Sequence, residues 1–513
     1  MASATEPLRR GALFYRSLHP LFRDFALTAG AEVAVLLAGF AVISILGRFL
    51  GAVALGEYLL LRRVLAWLQT GGQLGLGVAL PRYVANGVTG PERDRKIYLC
   101  VSLLLIFVAT AVIAAVLALG RVFFAGLFFG TPRATPLVLA LTVLLAGLGA
   151  HVAVYGYYRG LLAMGWANAL QLWNLGLVPI VTVTALLHTG SVALMVFVMG
   201  AAVLVSSLAV GLPVIREVWR SVPAVAVPVT AQLLRYGITR VPGDFCSSAM
   251  FALGPVVAAH YLPLSQVAYL LLGLSIMAAV SVSAQPVGIV LLSKVTMMLA
   301  QGRREEVRTH LKQFFALTIE LPVFIALQLL VFAGVLVRVW VGPRFMGAIP
   351  VIRILVIAIP FYLLFIALRS VVNAASVTAY NTHNTLLSAI AFLVFLGMAV
   401  KLAPPSLLIW AIAAALTASL ALLAWLTART VQRLYDLRLN WSGSALPLSL
   451  AGLLGAAGYA VQRAQRAPWG VAETCAIEAI MFALFLGGLR LLSSTWLTSV
   501  WQFATGWPGA EVR

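Results

Sequence analysis

Charged residues are scarce in this chain. Asp, Glu, Lys and Arg make up only 10% of its 513 residues, whereas 62% are hydrophobic. Soluble domains carry about 25% charged residues, so this composition cannot supply an ordinary water-facing surface. Apolar runs of about 20 residues, the length that a helix needs to cross a bilayer, recur along the whole sequence. The sequence therefore predicts an all-α polytopic membrane protein. It excludes an outer-membrane barrel, whose segments would alternate over about 10 residues.

Acidic residues and cysteines are also few. Only 15 Asp and Glu accompany 35 Lys and Arg, which gives a formal net charge of +20. Most of the cations lie in short segments between apolar runs, where Lys and Arg act as topology signals. We therefore expect no nucleic acid partner. The three Cys each stand alone in an apolar run, which fits neither a disulfide framework nor a metal site.

Sequence signatures of enzymatic chemistry are missing. The sequence has no Gly-x-x-x-x-Gly-Lys-Ser/Thr phosphate loop, and its His and Cys residues show no metal-ligand spacing. The polar and basic N-terminus has no short apolar core followed by a cleavage site, so no cleavable signal peptide is expected. We expect no enzymatic activity, no metal and no cofactor.

Fourteen apolar segments are predicted to be membrane spans, of which the eleventh is short unless it extends toward Val400. They are residues 25–46, 58–80, 98–119, 136–158, 162–187, 193–214, 234–259, 267–291, 314–336, 350–367, 386–398, 407–426, 446–461 and 472–492. With this assignment, 24 Lys and Arg lie on the side of the N-terminus and 9 on the other, while Arg62 and Arg63 lie inside the second span. The positive-inside rule then predicts that both termini are cytoplasmic.

Polar positions recur between the first six spans and the next six. With an offset of 212 (244 − 32), Glu32 aligns with Asp244 and Arg23 with Arg235. An even number of spans per half implies a parallel repeat, with its axis along the membrane normal. We predict a six-helix bundle in residues 1–215, a cytoplasmic linker loop at 216–232, a second six-helix bundle at 233–430, and two further transmembrane helices with a tail at 431–513.

Two stretches of the sequence resemble motifs of a transporter family. The first contains Leu46-Gly47-Arg48-Phe49-Leu50-Gly51, Gly56-Glu57-Tyr58, Gly75-Leu76-Gly77 and Arg82-Tyr83. The second contains Gly342-Pro343-Arg344-Phe345, Pro350 and Arg353-Ile354-Leu355. They resemble the "R-x-L-G … G-x-Y … G-L-G … R" and "G-P-x-F … P-x-x-x-I-L" patterns of the polysaccharide transporter family. These oligosaccharide (O-antigen-type) flippases belong to the multidrug/oligosaccharidyl-lipid/polysaccharide exporter superfamily. In the second half, residues 263–266 replace the glycine-containing turn of that pattern.

The resemblance implies a fold and a cargo. Two six-helix bundles would surround a central cavity and alternate which side is open, and the last two helices would shape a groove for a lipid tail. The cargo would be a polyprenyl-pyrophosphate-linked oligosaccharide, flipped across a bacterial inner membrane for surface polysaccharide synthesis beside a polymerase. A multidrug antiporter and a peptidoglycan-precursor flippase of the same superfamily remain open. A membrane glycosyltransferase or ligase is disfavoured because the outer loops are short and nearly lack acids.

Two intramembrane acids are candidates for ion coupling. Glu32 and Asp244 each lie about two turns inside a span, and ionisable groups at that depth are costly enough to suggest a function. Either carboxylate could carry H⁺, or the two together could bind Na⁺. The alternative is structural. Each could pair with an arginine or cap a broken helix, which Pro242 and Gly243 make plausible for Asp244.

Four arginines and several amides are candidates for binding the cargo. Guanidinium binds phosphate through paired hydrogen bonds and stays charged when buried. This chemistry suggests a pyrophosphate site, whereas snorkelling to the membrane interface is the alternative for each arginine. Amide side chains could meet sugar hydroxyls or simply join helices. The arginine candidates are Arg62, Arg63, Arg235 and Arg240, and the leading amides are Gln73 and Asn174, with Gln69 as a further one.

Overall fold

The computed structural model describes residues 20–86, 91–238, 241–376, 378–437, 444–464 and 470–492. Within these ranges the regular structure is helical, and we number the α-helices in chain order. They are α1 (Pro20–Phe49), α2 (Gly51–Gly72), α3 (Leu76–Asn86), α4 (Glu92–Leu119), α5 (Arg121–Phe129), α6 (Thr135–Gly160), α7 (Met164–Gln171), α8 (Val178–Leu186), α9 (Val192–Val218), α10 (Val222–Gly237), α11 (Val241–Tyr261), α12 (Leu264–Ala300), α13 (Arg304–Trp340), α14 (Ile349–Val356), α15 (Ile359–Ala375), α16 (Tyr380–Leu402), α17 (Leu408–Tyr435), α18 (Ala445–Ala464) and α19 (Val471–Leu492).

The predicted fold class is confirmed, but the predicted number of spans is not. In the described ranges, 12 helices are long and apolar enough to cross a membrane, and the bent pair of α14 and α15 raises the number to 13. The difference arises at the predicted span 58–80. It is divided into α2 and α3, and α2 carries the charged residues Glu57, Arg62 and Arg63. Charge in this helix is the physical reason that it does not qualify as an ordinary apolar span.

Two compact units divide the chain at Phe245 and Cys246, and we call them the N-terminal and the C-terminal unit. In the N-terminal unit, α6 packs most extensively on α9. A Cβ atom on Gly200 of α9 would lie only 2.5 Å from the backbone nitrogen of Leu144 on α6. Small residues at a crossing let two membrane helices approach closely and gain van der Waals contact. Glycine at this crossing therefore sets the spacing of α6 and α9.

The segment 216–232 is helical, so the expectation of a linker loop was wrong. It comprises the end of α9, a 3₁₀ turn at Trp219–Ser221 and most of α10. Pro223 stands in the first turn of α10, where a missing N–H is tolerated because that group has no partner within the helix. Lys96 of α4 pairs with Glu217, and the Tyr98 hydroxyl donates to Gln232 over 2.6 Å. The segment is thus packed against α4. The four predicted domain boundaries themselves stay predictions.

In the C-terminal unit, the start of α13 is joined to the end of α17 by polar contacts. Arg304 donates to the carbonyl of Leu434 over 2.7 Å, and Arg308 lies 3.9 Å from the carboxylate of Asp436. Hydrogen bonds from Arg303 hold the pKa of Glu306 below its ordinary value, so this exposed pair stays ionised at neutral pH. These arginines were counted as topology signals in the sequence analysis. In the structure, Arg304 and Arg308 also hold the start of α13 to the end of α17.

The two last helices pack on α13. The rings of Phe324 on α13 and Phe485 on α19 stack with centroids 4.3 Å apart, and both side chains are at least 97% buried. Ala451 of α18 and Met481 of α19 belong to the same apolar cluster. Burial of this cluster attaches α18 and α19 to the C-terminal unit.

Candidate functional site

A helix break within the predicted second span borders a polar cavity. The chain leaves α2 after Gly72 and enters α3 at Leu76. Between them, Leu74 and Gly75 adopt left-handed conformations, with φ of 51° and 72°. The backbone of Gly75 touches α10, because a Cβ atom on Gly75 would lie 2.3 Å from the carbonyl oxygen of Gly237. This contact fixes the position of the break within the N-terminal unit.

The cavity has a volume of about 370 Å³. Its polar lining comes from Gln69, Thr70 and Gln73 at the end of α2 and from Asp244 at the start of α11. Amide, hydroxyl and carboxylate groups converge here within a largely apolar chain, and they are the groups that hydrogen-bond hydroxyl-rich or cationic ligands. The structure therefore brings together two predicted site residues, Gln73 and Asp244, and the further amide candidate Gln69.

Asp244 occupies the first turn of α11, where the positive end of the helix dipole favours a carboxylate. Its side chain is exposed, and the neighbouring Phe245 packs its ring 5.3 Å from that of Trp67 on α2. The aromatic contact joins α2 to α11 beside the cavity. The position at a helix start agrees with the structural alternative for Asp244, and its place in the cavity lining agrees with the functional one.

Arg62 and Arg63 lie one turn along α2 from the cavity. Arg62 precedes the lining residue Ala66 by four positions and Arg63 precedes it by three, so both share its side of the helix. The Arg62 side chain is exposed and its guanidinium lies 6.0 Å from the ring centre of Tyr58, while Arg63 is half-buried. Neither arginine lines the cavity itself, and their role in binding pyrophosphate stays a prediction.

Of the two other arginines predicted to bind the cargo, Arg235 and Arg240, only Arg235 lies within the described residues. Arg235 is exposed in the last turn of α10, two residues before the Gly237 that contacts Gly75. Arg240 lies outside the described residues, so its role stays a prediction.

Glu32 lies elsewhere in the N-terminal unit. It is half-buried on α1, it does not line the cavity that contains Asp244, and it is close enough to Tyr155 on α6 to interact electrostatically. The Tyr155 ring stacks on His151, with centroids 5.7 Å apart. Glu32 is thus near Tyr155 of α6 rather than in the cavity, and its predicted role in ion coupling stays a prediction.

Asn174 is the centre of a buried polar network. It lies in a π-helical turn, Leu172–Leu177, between α7 and α8, and it is only 1% exposed. Its Nδ2 is 3.1 Å from His151 Nδ1 on α6 and donates to Ser207 Oγ on α9 over 3.0 Å, while its Oδ1 accepts from Ser206. The amide is therefore fully engaged by the protein, which favours the helix-joining interpretation over sugar binding.

His151 is a polar residue that the sequence analysis did not single out. Its side chain is 4% exposed, and its ring contacts both Tyr155 and Asn174. The available signal was an isolated histidine in the middle of the apolar segment 136–158, because ionisable residues inside spans are functional candidates by default.

Replacing Asn174 with leucine is expected to lower the stability of the N-terminal unit by about 1–3 kcal/mol. The substitution leaves His151, Ser206 and Ser207 without their buried partner, and an orphaned polar group costs about that much. Thermal unfolding of purified protein in detergent measures the effect. Asn373→Leu is the control and should change the midpoint little, because it removes only one exposed hydrogen bond, from Asn381. An unchanged midpoint combined with lost transport would instead assign Asn174 to the cargo.

Comparison with protein families identifies the family of this chain. Residues 21–292, more than half of the chain, match the family model described as polysaccharide biosynthesis protein. The chain belongs to this polysaccharide biosynthesis protein family. The match agrees with the family resemblance that the sequence motifs carry. A search of curated protein sequences gave no match.

Two solved structures share the fold of this polysaccharide biosynthesis family member. The lipid II flippase MurJ, in an inward closed conformation, aligns with a TM-score of 0.71 and 13% identity, covering 93% of this chain and 99% of MurJ. An inward-facing multidrug resistance MATE family transporter of the MOP superfamily aligns with a TM-score of 0.64 and 15% identity, covering 78% of this chain and 95% of the transporter. At such low identity the likeness establishes the fold alone.

Proposed function

We propose that this protein is a flippase that moves a polyprenyl-pyrophosphate-linked oligosaccharide from the cytoplasmic to the outer leaflet of a bacterial inner membrane. The observation that carries the proposal is the family match over residues 21–292. The product would supply a surface polysaccharide such as lipopolysaccharide or exopolysaccharide. Under the fourteen-span assignment of the sequence, the excess of Lys and Arg on one side supports an orientation with both termini in the cytoplasm.

The polar cavity supports this cargo chemistry. A volume of about 370 Å³ falls within the range of small-molecule sites, which is roughly 300–1,000 Å³. Gln69, Gln73 and Thr70 offer the donors and acceptors that sugar hydroxyls use. Arg62 and Arg63 add positive charge one turn away for a pyrophosphate. A polar head group that leaves water would therefore find in this unit hydrogen bonds for its sugar hydroxyls and positive charge for its pyrophosphate.

The ion that drives transport would act on the carboxylates. We propose that Asp244, in the cavity lining, exchanges H⁺ or Na⁺ during the transport cycle and that Glu32 does so beside Tyr155. Asp244 would then exchange its ion in the cavity that binds the head group, whereas Glu32 would act at a separate place in the same unit.

A peptidoglycan-precursor flippase is the second candidate. The structural likeness to MurJ extends over 93% of this chain, whereas the likeness to the MATE transporter leaves more than a fifth of it unmatched. This difference in coverage favours a flippase for lipid-linked saccharides over a drug antiporter. It does not separate the two kinds of saccharide.

Deleting the gene is expected to strand the lipid-linked oligosaccharide on the cytoplasmic leaflet and to remove the corresponding surface polysaccharide. The physical reason is that a pyrophosphate-sugar head group cannot cross the hydrocarbon core unaided. Leaflet-specific labelling of extracted glycolipids measures the accumulation, and expression of the intact gene is the control. Normal surface polysaccharide together with increased drug sensitivity would assign the protein to the antiporters. Lysis with accumulated peptidoglycan precursor would assign it to the second candidate.

A further inference from the structure

An apolar groove lies in the C-terminal unit between α13 and the bent pair of α14 and α15. It has a volume of about 300 Å³. Val323, Leu327 and Leu330 form its wall on α13, and Ile357, Phe361 and Leu364 form the opposite wall. Among the described residues, every side chain that lines the groove is apolar, Pro360 included. These side chains offer a water-soluble ligand no hydrogen bond, so the groove suits a hydrocarbon chain.

A proline borders this groove and accounts for the bend beside it. Pro360 lies at the start of α15 and has no N–H to donate to the preceding turn, so α14 and α15 do not continue as one straight helix. The two helices are bent by 43°. Ile357, at the bend, is 48% exposed and Phe361 is 36% exposed. Because both exposed side chains are apolar, this end of the groove suits contact with acyl chains better than contact with water.

One arginine stands at the edge of both walls. Arg353 lies four residues before Ile357, and its Nε donates to the backbone oxygen of Leu330 over 3.1 Å. The bond ties the half-buried guanidinium to the rim, so this side chain does not simply extend into solvent. Within the described ranges, no carboxylate pairs with Arg353, and its two terminal nitrogens have no other hydrogen bond. They can bind an anion through two parallel N–H groups.

From these two features we infer a lipid site: the groove holds one acyl chain of an anionic bilayer phospholipid, and Arg353 binds the phosphate of that same lipid. The pairing of an apolar channel with a fixed cation at its rim matches the two-part chemistry of such a lipid. Neither feature alone selects it, because an apolar groove accepts any chain and a lone arginine accepts any phosphate. Occupation of the groove would brace α13 against α14 and α15, and thereby stabilise the C-terminal unit.

The test uses the full-length protein in detergent, titrated with phosphatidylglycerol or phosphatidylcholine and followed by thermal unfolding and native mass spectrometry. Phosphatidylglycerol should bind the unaltered protein more tightly and raise its unfolding midpoint more than phosphatidylcholine does. Arg353→Gln should weaken phosphatidylglycerol binding about tenfold, since one charge-assisted phosphate contact is lost. Arg338→Gln, which removes an exposed arginine on α13 outside the groove lining, should leave the lipid preference intact.

Two further arms separate the head group from the chain. Ile357→Trp places a bulky ring in the groove and should reduce retention of both phospholipids, while glycerol 3-phosphate alone should not stabilise the protein. If Arg353→Gln misfolds, Arg353→Lys keeps the charge and should show an intermediate lipid preference. Equal binding of the two phospholipids, equal losses in the Arg353 and Arg338 variants, or retention of polyprenyl phosphate with no retention of phosphatidylglycerol would each overturn the inference.

Discussion

Gly75→Ala is expected to prevent stable folding of the N-terminal unit. Gly75 has a φ of 72°, a conformation that costs a residue with a Cβ atom about 1–3 kcal/mol. The added Cβ would also lie 2.3 Å from the Gly237 oxygen and 2.7 Å from its Cα. The obstacle is backbone, so no side chain can rotate away, and α10 must shift relative to α2 and α3. Both costs together take a large part of a typical net stability of about 5–15 kcal/mol. The measurement is the yield of monodisperse protein and its unfolding midpoint in detergent.

Gly51→Ala is the matched control for this substitution. Gly51 also has a positive φ, 86°, but a Cβ atom there would meet nothing within 4 Å. It should therefore show the conformational cost alone, about 1–3 kcal/mol, and leave the protein folded. Comparable midpoints for Gly51→Ala and Gly75→Ala would mean that the contact with Gly237 has no energetic weight. The cavity would then have to be held by other contacts.

Asp244→Asn is expected to reduce transport by about tenfold or more and to remove its dependence on pH or Na⁺. Among the described residues that line the cavity, Asp244 is the one with an ionisable side chain. Asparagine keeps the size and much of the hydrogen bonding but carries no charge and exchanges no proton. Transport of a labelled lipid-linked oligosaccharide into the outer leaflet of proteoliposomes, under imposed H⁺ or Na⁺ gradients, measures both effects. Glu32→Gln in the same assay tests the second carboxylate.

Asp94→Asn provides a control with the same chemistry at an equivalent place. Asp94, like Asp244, is an exposed carboxylate in the first turn of a membrane helix, but it does not line the cavity. Any change that comes only from the helix dipole should appear in both variants. If the Asp244→Asn protein keeps its full response to both gradients, Asp244 does not couple transport to an ion. The proposed cargo would stand independently of that result.

Hydropathy was sufficient to predict the class of the fold, because an apolar run of span length in lipid has few structural options besides a helix. It failed where the helices are not ordinary spans. The segment 58–80 reads as one apolar run with two arginines, yet the helix divides near Gly75. Hydropathy could not predict this turn, because glycine and leucine give no hydropathy signal for one. The segment 216–232 reads as a loop from its prolines. Pro223 falls at a helix start, where proline is accepted, and Pro228 lies inside the helix without ending it.

The candidate site was only partly predictable, because sequence does not tell which side of a helix faces a cavity. Gln73 was named from its polarity, and Asp244 from its depth inside a span and its alignment with Glu32. The structure places both in one lining. Asn174 was named for the same reason, yet it lies in the interior with His151 and two serines as partners. Helix packing decides between these outcomes, and packing depends on contacts between residues far apart in the chain.

The attachment of α18 and α19 through α13 has a consequence for how such chains diversify. Phe324, Phe332 and Ala451 are buried where these helices meet. A pair of helices that rests on one existing helix can be gained or lost as an appendage, with surrounding lipid covering the bare face in its absence. Lineages could thus differ in the number of their terminal helices while the packing within the rest of the C-terminal unit is kept.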